Sequence, residues 1–333
     1  MVQAAAIILA AGQGSRMKSK KAKVLHKVAG LEMVNHAVRS VRLAGIDRII
    51  VVIGFQGDKV RAVLDGVSLA EQKEQLGTGH AVDQCRHLLG DFTGPVLVTY
   101  GDTPLFRGET FRKLLEHHSQ SKAAATIVTA IFDDPTGYGR VVRDGQGHVL
   151  GVVEHKDANG QELQIKEINT GTYCFDSQLL FHYLTQITPE NAQAEYYLPD
   201  VIPLMIKGGH TVEGFVLDDA AESMGINDRI QLAEAEAILR DRICAYWQSQ
   251  GVTIMDPKST WIEWDCEIGQ DTTIYPGCMI QKGTKIGQDC IIGPNCHLIE
   301  AEIADGVALE NIVVSGRVVG KGEQIAPFSL MTK

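Results

Sequence analysis

From Ile262 to Leu298 the chain reads IEWDCE-IGQDTT-IYPGCM-IQKGTK-IGQDCI-IGPNCH-L, with an aliphatic residue returning at every sixth position, seven times. An α-helix turns every ~3.6 residues and a strand alternates every second one, so neither sustains a period of six by itself. A chain that closes one turn of a prism in three hexads does. Each hexad then forms one face and sends its aliphatic side chain into a shared core, the arrangement of a parallel β-helix. Glycine follows the aliphatic at Gly269, Gly287 and Gly293. Past Leu298 the phase slips, and Val313, Val319 and Ile325 are expected to resume it. The same ruler places Cys266, Cys278, Cys290 and Cys296 four residues after Ile262, Ile274, Ile286 and Ile292, with Thr272 and Thr284 in the alternate hexads. Four cysteines could ligate zinc. An interchange of Cys with Thr at one position of the repeat reads better as a column of small, partly buried side chains. No metal is expected there.

Upstream of the repeat, residues 228–250 predict one helix. It has an Asn-Asp start, Leu232, Ala235, Leu239 and Ile243 along one side, and Gly251 as its stop. Before about Asn227 the periodicity changes again. AAAIILA, RIIVVIG, PVLVTYG and INTGTYCF read as buried strands, and amphipathic stretches at residues 34–44, 80–89 and 110–118 read as helices between them. Strands alternating with helices imply right-handed crossovers and a mostly parallel, doubly wound sheet, an α/β domain of Rossmann-like layout. The expected organisation is therefore residues 1–227, a connector helix at 228–251, and the β-helix at 252–333.

With 333 residues there is room for two domains, and 44% hydrophobic with 22% charged residues is ordinary for a globular protein. A net charge of −10 argues against a general nucleic-acid or membrane-surface binder. No apolar run approaches the ~18 residues of a membrane span. The N-terminus places its apolar residues before its cations, the reverse of a secretory leader. The seven cysteines contain no Cys-x-x-Cys pair, so no disulfide framework is indicated. A cytoplasmic protein is expected.

Against this acidic background the first 31 residues hold no Asp or Glu, while Arg16, Lys18, Lys20, Lys21, Lys23 and Lys27 crowd together. A charge run is usually a solvated face. Here it directly follows a strand and a Gly-x-Gly turn, in LAAGQGSRMKSKKAKVL from Leu9 to Leu25, which favours an anion site. The Gly-Lys-Ser/Thr of a Walker loop is absent, and the third glycine of the dinucleotide fingerprint is replaced by Met17. What remains is a glycine turn whose N–H groups can face phosphate. Arg16 adds a planar fork and Lys23 a point charge. That set suits nucleotidyl transfer, in which charge at phosphorus must be stabilised. Ligands of doubly wound sheets bind beyond the carboxyl ends of the strands. Gly12-Gln-Gly14 stands at one such end and Tyr100-Gly-Asp102 at another, so the site is expected between them.

Leu-Ala-Ala-Gly-x-Gly-x-Arg-Met at residues 9–17, with Lys23-Val-Leu, resembles the sugar-1-phosphate nucleotidyltransferases. Further motifs narrow the resemblance: Gln75-Leu-Gly-Thr-Gly-His-Ala81, Tyr100-Gly-Asp102, Asp134-Pro-Thr-Gly-Tyr-Gly-Arg140, Glu154-His-Lys-Asp157, Glu167-Ile-Asn-Thr-Gly171, Glu195-Tyr-Tyr197 and Gly225-Ile-Asn227. In this order, and with the hexapeptide tail, they are similar to the bacterial bifunctional N-acetylglucosamine-1-phosphate uridyltransferase/glucosamine-1-phosphate acetyltransferase family. The resemblance covers essentially the whole chain. It implies a left-handed β-helix and a homotrimer built through it. It also implies Mg²⁺-dependent transfer of UMP from UTP to N-acetylglucosamine-1-phosphate, giving UDP-N-acetylglucosamine for cell-wall precursor synthesis. Arg16 and Lys23 would be catalytic. Leu9, Ala10, Ala11, Gly12 and Lys23 would line the nucleotide, with Gln72, Gly77 and Thr78 reading the uracil. Tyr100, Gly101 and Asp102 would lie under ribose and phosphates. Gly139, Glu154, Asn169 and Thr170 would hold the sugar, and Asp102 and Asn227 the metal.

Each residue has a plainer reading beside this one. Asp102 could cap a turn, Asn227 could cap the connector helix, and Glu154 could form a surface pair with Lys156. Two features depart from the family pattern. Proline usually precedes the active-site lysine, and Ala22 stands there, which frees φ and is expected to loosen the loop. The family's acetyltransferase residues also lie in coils beyond Lys333, so uridyl transfer without acetyl transfer is expected. The rivals are a sugar-phosphate nucleotidyltransferase of other specificity and a non-catalytic nucleotide-binding assembly protein.

Overall fold

The computed structural model describes residues 3–323 and 325–332. The chain divides into two compact units, one formed by residues up to His26 with Glu32–Arg229, the other by Lys27–Leu31 with the residues from Ile230 onward.

The first unit is built on one sheet of nine strands: β1 (Ala5–Ala10), β2 (Arg48–Ile53), β3 (Ser68–Glu71), β4 (Pro95–Tyr100), β5 (Ala125–Ile131), β6 (Arg140–Arg143), β7 (Val149–Val153), β8 (Glu167–Asp176) and β9 (Val212–Val216). Its main path runs β9-β5-β8-β4-β1-β2-β3. β1 is AAIILA, buried throughout, as a strand covered on both faces requires. It pairs in parallel with β2 on one side and β4 on the other. The chain therefore winds outward through β2 and β3, then returns across β1 to begin β4. That reversal opens a crevice at the carboxyl ends of β1 and β4.

The mostly parallel expectation holds along the main path with one exception there, while β6 and β7, off that path, form an antiparallel hairpin that joins β8. β8, which contains the INTGTYCF run, lies antiparallel to β4 and β5, and its register against β5 shifts between Asn169 and Tyr173. Such a shift bends a strand and re-aims its side chains. Helix α1 (Met33–Leu43) buries Met33, Val34, Ala37, Val38 and Val41 on one side. The helix expected at residues 80–89 is instead two short pieces, α2 (Thr78–Asp83) and Arg86–Leu89. At Cys85 the backbone N–H bonds the carbonyl three residues back, Val82, and tightens the turn. A longer helix, Gly108–Ser121, turns Phe111, Leu114 and His118 inward.

The second unit is a left-handed parallel β-helix. Three sheets of four, five and four strands form its faces. Ile254, Ile274, Ile292 and Leu309 stack in one face. Ile262, Ile280, Leu298 and Val314 stack in the second. Ile268, Ile286, Ile303 and Val319 stack in the third. The expected phase after Leu298 needs one correction: Val314 (0% exposed), not Val313, points inward. The steps to Ile303, Val314 and Val319 are five residues long, so paired residues 18 apart in early coils, such as Ile280 and Leu298, give way to pairs 16 apart, such as Ile303 and Val319. Gly269 is obligatory where it stands, because a Cβ would lie 2.5 Å from the Gly287 carbonyl of the next coil.

The Cys/Thr column is more buried than the partial burial expected, at 5% exposure or less. Its interchange has a chemical reason. Cys266 Sγ faces Ile280 C=O at 3.3 Å, Cys290 Sγ faces Ala304 C=O at 3.2 Å, and Thr272 Oγ1 donates to Gly287 C=O at 2.8 Å. Each is a small donor serving a carbonyl of the following coil. The helix Arg229–Ser249 belongs to this unit from Ile230 on: Cys244 joins the β-helix core, and Ile243 and Trp247 pack against it.

Candidate active site

Beyond β1 the chain turns through Gly12-Gln-Gly14. Gly14 takes φ +66, and a Cβ there would lie 2.5 Å from Lys23 Cβ. Glycine thus lets the start of the loop close onto its end. Lys23 opens a single 3₁₀ turn, Lys23–Leu25, which sets its side chain toward the end of β4. There its ammonium pairs with Asp102 Oδ2, the two side chains being only 13% and 16% exposed. It also donates to Asn227 Oδ1 at 3.0 Å, and Arg16 Nη2 donates to the same oxygen at 2.9 Å. Backbone bonds fix the frame: Gly101 N–H to Leu9 C=O and Ile226 N–H to Asp102 C=O, both 2.9 Å. Two cations from the glycine-turn loop and two oxygen-bearing side chains, drawn from three separated stretches of sequence, converge on one point.

A cleft opens beside them. Leu9, Ala10, Ala11, Gly12, Lys23, Gln72, Gly77, Thr78, Tyr100 and Asp102 line it, as do Val24, Gln75, Ala81 and Glu195. Gly101 lies beneath, against Ala10, Val24 and Val34. Gln72 is buried and its amide donates to Gly77 C=O at 3.0 Å, so the cleft's polar edge is preset. Thr78 Oγ1 accepts from Leu198 N–H at 2.9 Å. Burial lifts the Tyr100 hydroxyl well above its ordinary pKa, with the charges of Glu154 and Asp102 adding to the effect. It stays a neutral phenol.

On the far side of Tyr100, whose ring abuts Gly171, the other predicted residues gather. Gly139 C=O accepts from Asn169 N–H at 2.8 Å, and Gly139 sits against the Glu154 carboxylate. Asn169 donates to Tyr173 OH at 2.7 Å. The Thr170 hydroxyl is spent on Val128 C=O at 2.8 Å. Glu154 does not pair with Lys156, which donates to Gln193 Oε1 at 3.0 Å. Burial raises the pKa of Glu154, and Asp157 and Asp200 raise it further by repulsion. Asp200 is pushed up to about 6, by burial first and then by Asp157.

The donor set can be tested against a hard divalent cation. Asp102 Oδ2 and Asn227 Oδ1 already share one positive charge, the Lys23 ammonium. They are therefore close enough to share another. Mg²⁺ usually takes one or two protein oxygens and completes its shell with water and substrate phosphate, so one carboxylate and one amide fit it. Among the described residues no group of three or more His, Cys, Asp or Glu could hold a metal, and no helix is long and apolar enough to cross a membrane.

The sequence reading assigned no role to Gln75 or Glu195, although both lie in motifs it singled out. Val24 and Ala81 likewise lie in quoted motifs, Lys23-Val-Leu and Gln75–Ala81, and were given no role.

Comparison with known proteins matches residues 5–254 to the nucleotidyl transferase family and residues 265–299 to the bacterial transferase hexapeptide repeat. The chain is 49% identical over 330 residues to a bifunctional protein GlmU of Geobacillus sp. (strain WCH70), covering 99% of this chain and 72% of that protein. It is 48% identical over 325 residues to the bifunctional protein GlmU of Exiguobacterium sibiricum, covering 97% and 72%. The counterpart from Limosilactobacillus reuteri is 47% identical over 330 residues, with coverage of 99% and 72%.

Proposed function

This chain belongs to the nucleotidyl transferase family, among the bifunctional GlmU proteins, and we propose that it transfers UMP from UTP to N-acetylglucosamine-1-phosphate, releasing pyrophosphate. The convergence of Lys23, Arg16, Asp102 and Asn227 at the mouth of the cleft carries this reading. A phosphate oxygen of the sugar phosphate attacks the α-phosphorus of UTP in line. The new P–O bond forms as the bond to the β-phosphate breaks, and its electron pair leaves with pyrophosphate. The nucleophile is already ionised near neutral pH, so no general base is needed. Positioning and positive charge supply the rate.

Lys23 and Arg16 face the α-phosphate and balance the charge that builds there. Asp102 and Asn227 are the residues that would hold Mg²⁺, which when bound adds positive charge to the phosphates. Gln72, Gly77 and Thr78, with Gln75, take the base at the rigid edge of the cleft. Gly139, Glu154 and Asn169 take the sugar. Thr170, its hydroxyl engaged with backbone, contributes by shaping the strand. The product, UDP-N-acetylglucosamine, is a cell-wall precursor, and a cytoplasmic setting is consistent with nucleotide substrates.

The β-helix supports assembly of a homotrimer, since Ile291 and Val318 stand exposed on its flat faces. Sedimentation equilibrium would read the assembly directly. The activity is tested by pyrophosphate release from UTP with N-acetylglucosamine-1-phosphate and Mg²⁺, beside glucose-1-phosphate and other nucleoside triphosphates. Release with the first pair alone is expected. Release only with another pair would sink the substrate assignment, and none with any pair would sink the activity.

A further inference from the structure

The loop that carries Lys23 was expected to be loose, because Ala22 leaves φ unrestrained. In the structure Ala22 is 1% exposed at φ −55, and its N–H donates to Gln56 Oε1 at 3.1 Å. The other end of the same amide, Gln56 Nε2, donates to Lys20 C=O at 2.7 Å. One side chain thus grips the backbone on both sides of Lys21, immediately before Lys23. A proline at position 22 would have no N–H to offer.

Gln56 lies in the turn Gly54–Gly57, closed by Gly57 N–H to Gly54 C=O at 2.9 Å. That turn also meets the beginning of the loop: Phe55 N–H donates to Ala11 C=O at 3.1 Å. Both ends of the phosphate loop, Ala11 and Ala22, are therefore tied to one short turn after β2. Gln56 itself adopts φ +52, a conformation that favours glycine. A glutamine kept at a position where glycine would be less strained points to use of its side chain.

We propose that Gln56 is a positioning residue for Lys23, its amide doing through two hydrogen bonds what a ring at position 22 would do through a fixed φ. The inference rests on the assignment of Lys23 to nucleotidyl transfer. Gln56 touches no reacting atom. It acts by holding the segment from which the lysine projects.

The test is Gln56→Gly, alone and combined with Ala22→Pro. Glycine relieves the positive φ, so the melting temperature should hold or rise, while kcat falls about tenfold and KM for UTP moves little. Hydrogen–deuterium exchange should quicken across residues 18–22. Ala22→Pro has a compatible φ and removes the N–H that Gln56 receives. In that background Gln56→Gly should change kcat by less than about twofold, a rescue that general destabilisation would not give. Unchanged exchange in Gln56→Gly would overturn the clamp. Faster exchange with unchanged kcat would overturn its part in catalysis, as would a full tenfold loss in the proline background. A wild-type protein that releases no pyrophosphate but shows Gln56-dependent exchange would sink the functional reading and leave the clamp standing.

Discussion

The two units keep their side chains in place by opposite means. In the β-helix, Ile280 stacks between Ile262 and Leu298, each 18 residues away. Each inward aliphatic within a stack meets its counterparts one coil before and one coil after. In the α/β unit, Asn227 Oδ1 receives hydrogen bonds from Arg16 and Lys23, 211 and 204 positions earlier. One structure grows by repetition, and its stability accumulates coil by coil. The other exists only when nearly the whole unit has closed. Their chemistry differs accordingly. Apart from cysteines, the buried polar side chains among the described residues of the β-helix are threonines, Thr260, Thr272 and Thr284. The α/β unit buries Arg140 and Glu222 and holds the Lys23–Asp102 pair partly out of water.

The hardest break of this contrast is Asp102→Asn. The shape is kept, but the partner of Lys23 and the carboxylate proposed to hold the metal are lost. We expect kcat to fall about a thousandfold, equivalent to about 4 kcal/mol of transition-state stabilisation. A loss below tenfold in steady-state pyrophosphate release would remove Asp102 from the catalytic set. Next is Ile280→Ala, a cavity at a side chain with no exposed surface. It should cost about 3 kcal/mol in denaturant unfolding, with kcat within about twofold of wild type. A large fall in kcat would show that the two modes of construction are not energetically separate.

The smallest effect concerns pH. Asp200 holds its proton up to about pH 6, above the ordinary carboxylate range. Its contribution to stability is fully present below about pH 4 and is lost as pH rises through about 6. Asp200→Asn should therefore raise the melting temperature at pH 8 and leave it unchanged at pH 4. An equal shift at both pH values would mean that something other than the carboxylate's charge is responsible.

The same contrast explains what the sequence discloses. A repeat places equivalent residues in equivalent surroundings, so the period from Ile262 to Leu298 can be read as geometry. It fails where the spacing shortens to five, because Val313 and Val314 are equally aliphatic and only the corner decides which turns inward. The α/β unit offers strands and helices, but no local pattern says that Arg16 and Asn227 meet. Arg16 and Lys23 stood out through the glycine turn and charge run, and Asp102 through its place at a strand end, whereas Asn227 was legible through motif resemblance alone. Gln56 was not legible at all. Its two bonds depend on where the turn after β2 meets residues 20–22, and glutamine at a helix start carries no expectation of either. The halved helix at residues 78–89 shows the same limit, since the amphipathic pattern crosses Cys85 while the hydrogen bonding does not.

The shortened coils bear on how such a chain can change over time. In an ordinary sheet a one-residue deletion within a strand turns every later side chain to the wrong face. Here the steps to Ile303, Val314 and Val319 each lack one residue, yet Ile303 still stacks on Ile286 and Val319 on Ile303. The missing residues come out of the corners, where the chain only has to bend. Small insertions and deletions at corners are thus nearly silent, whereas the paired residues on the faces tolerate none. Length variation in this unit should fall between the inward aliphatics and leave their stacking untouched.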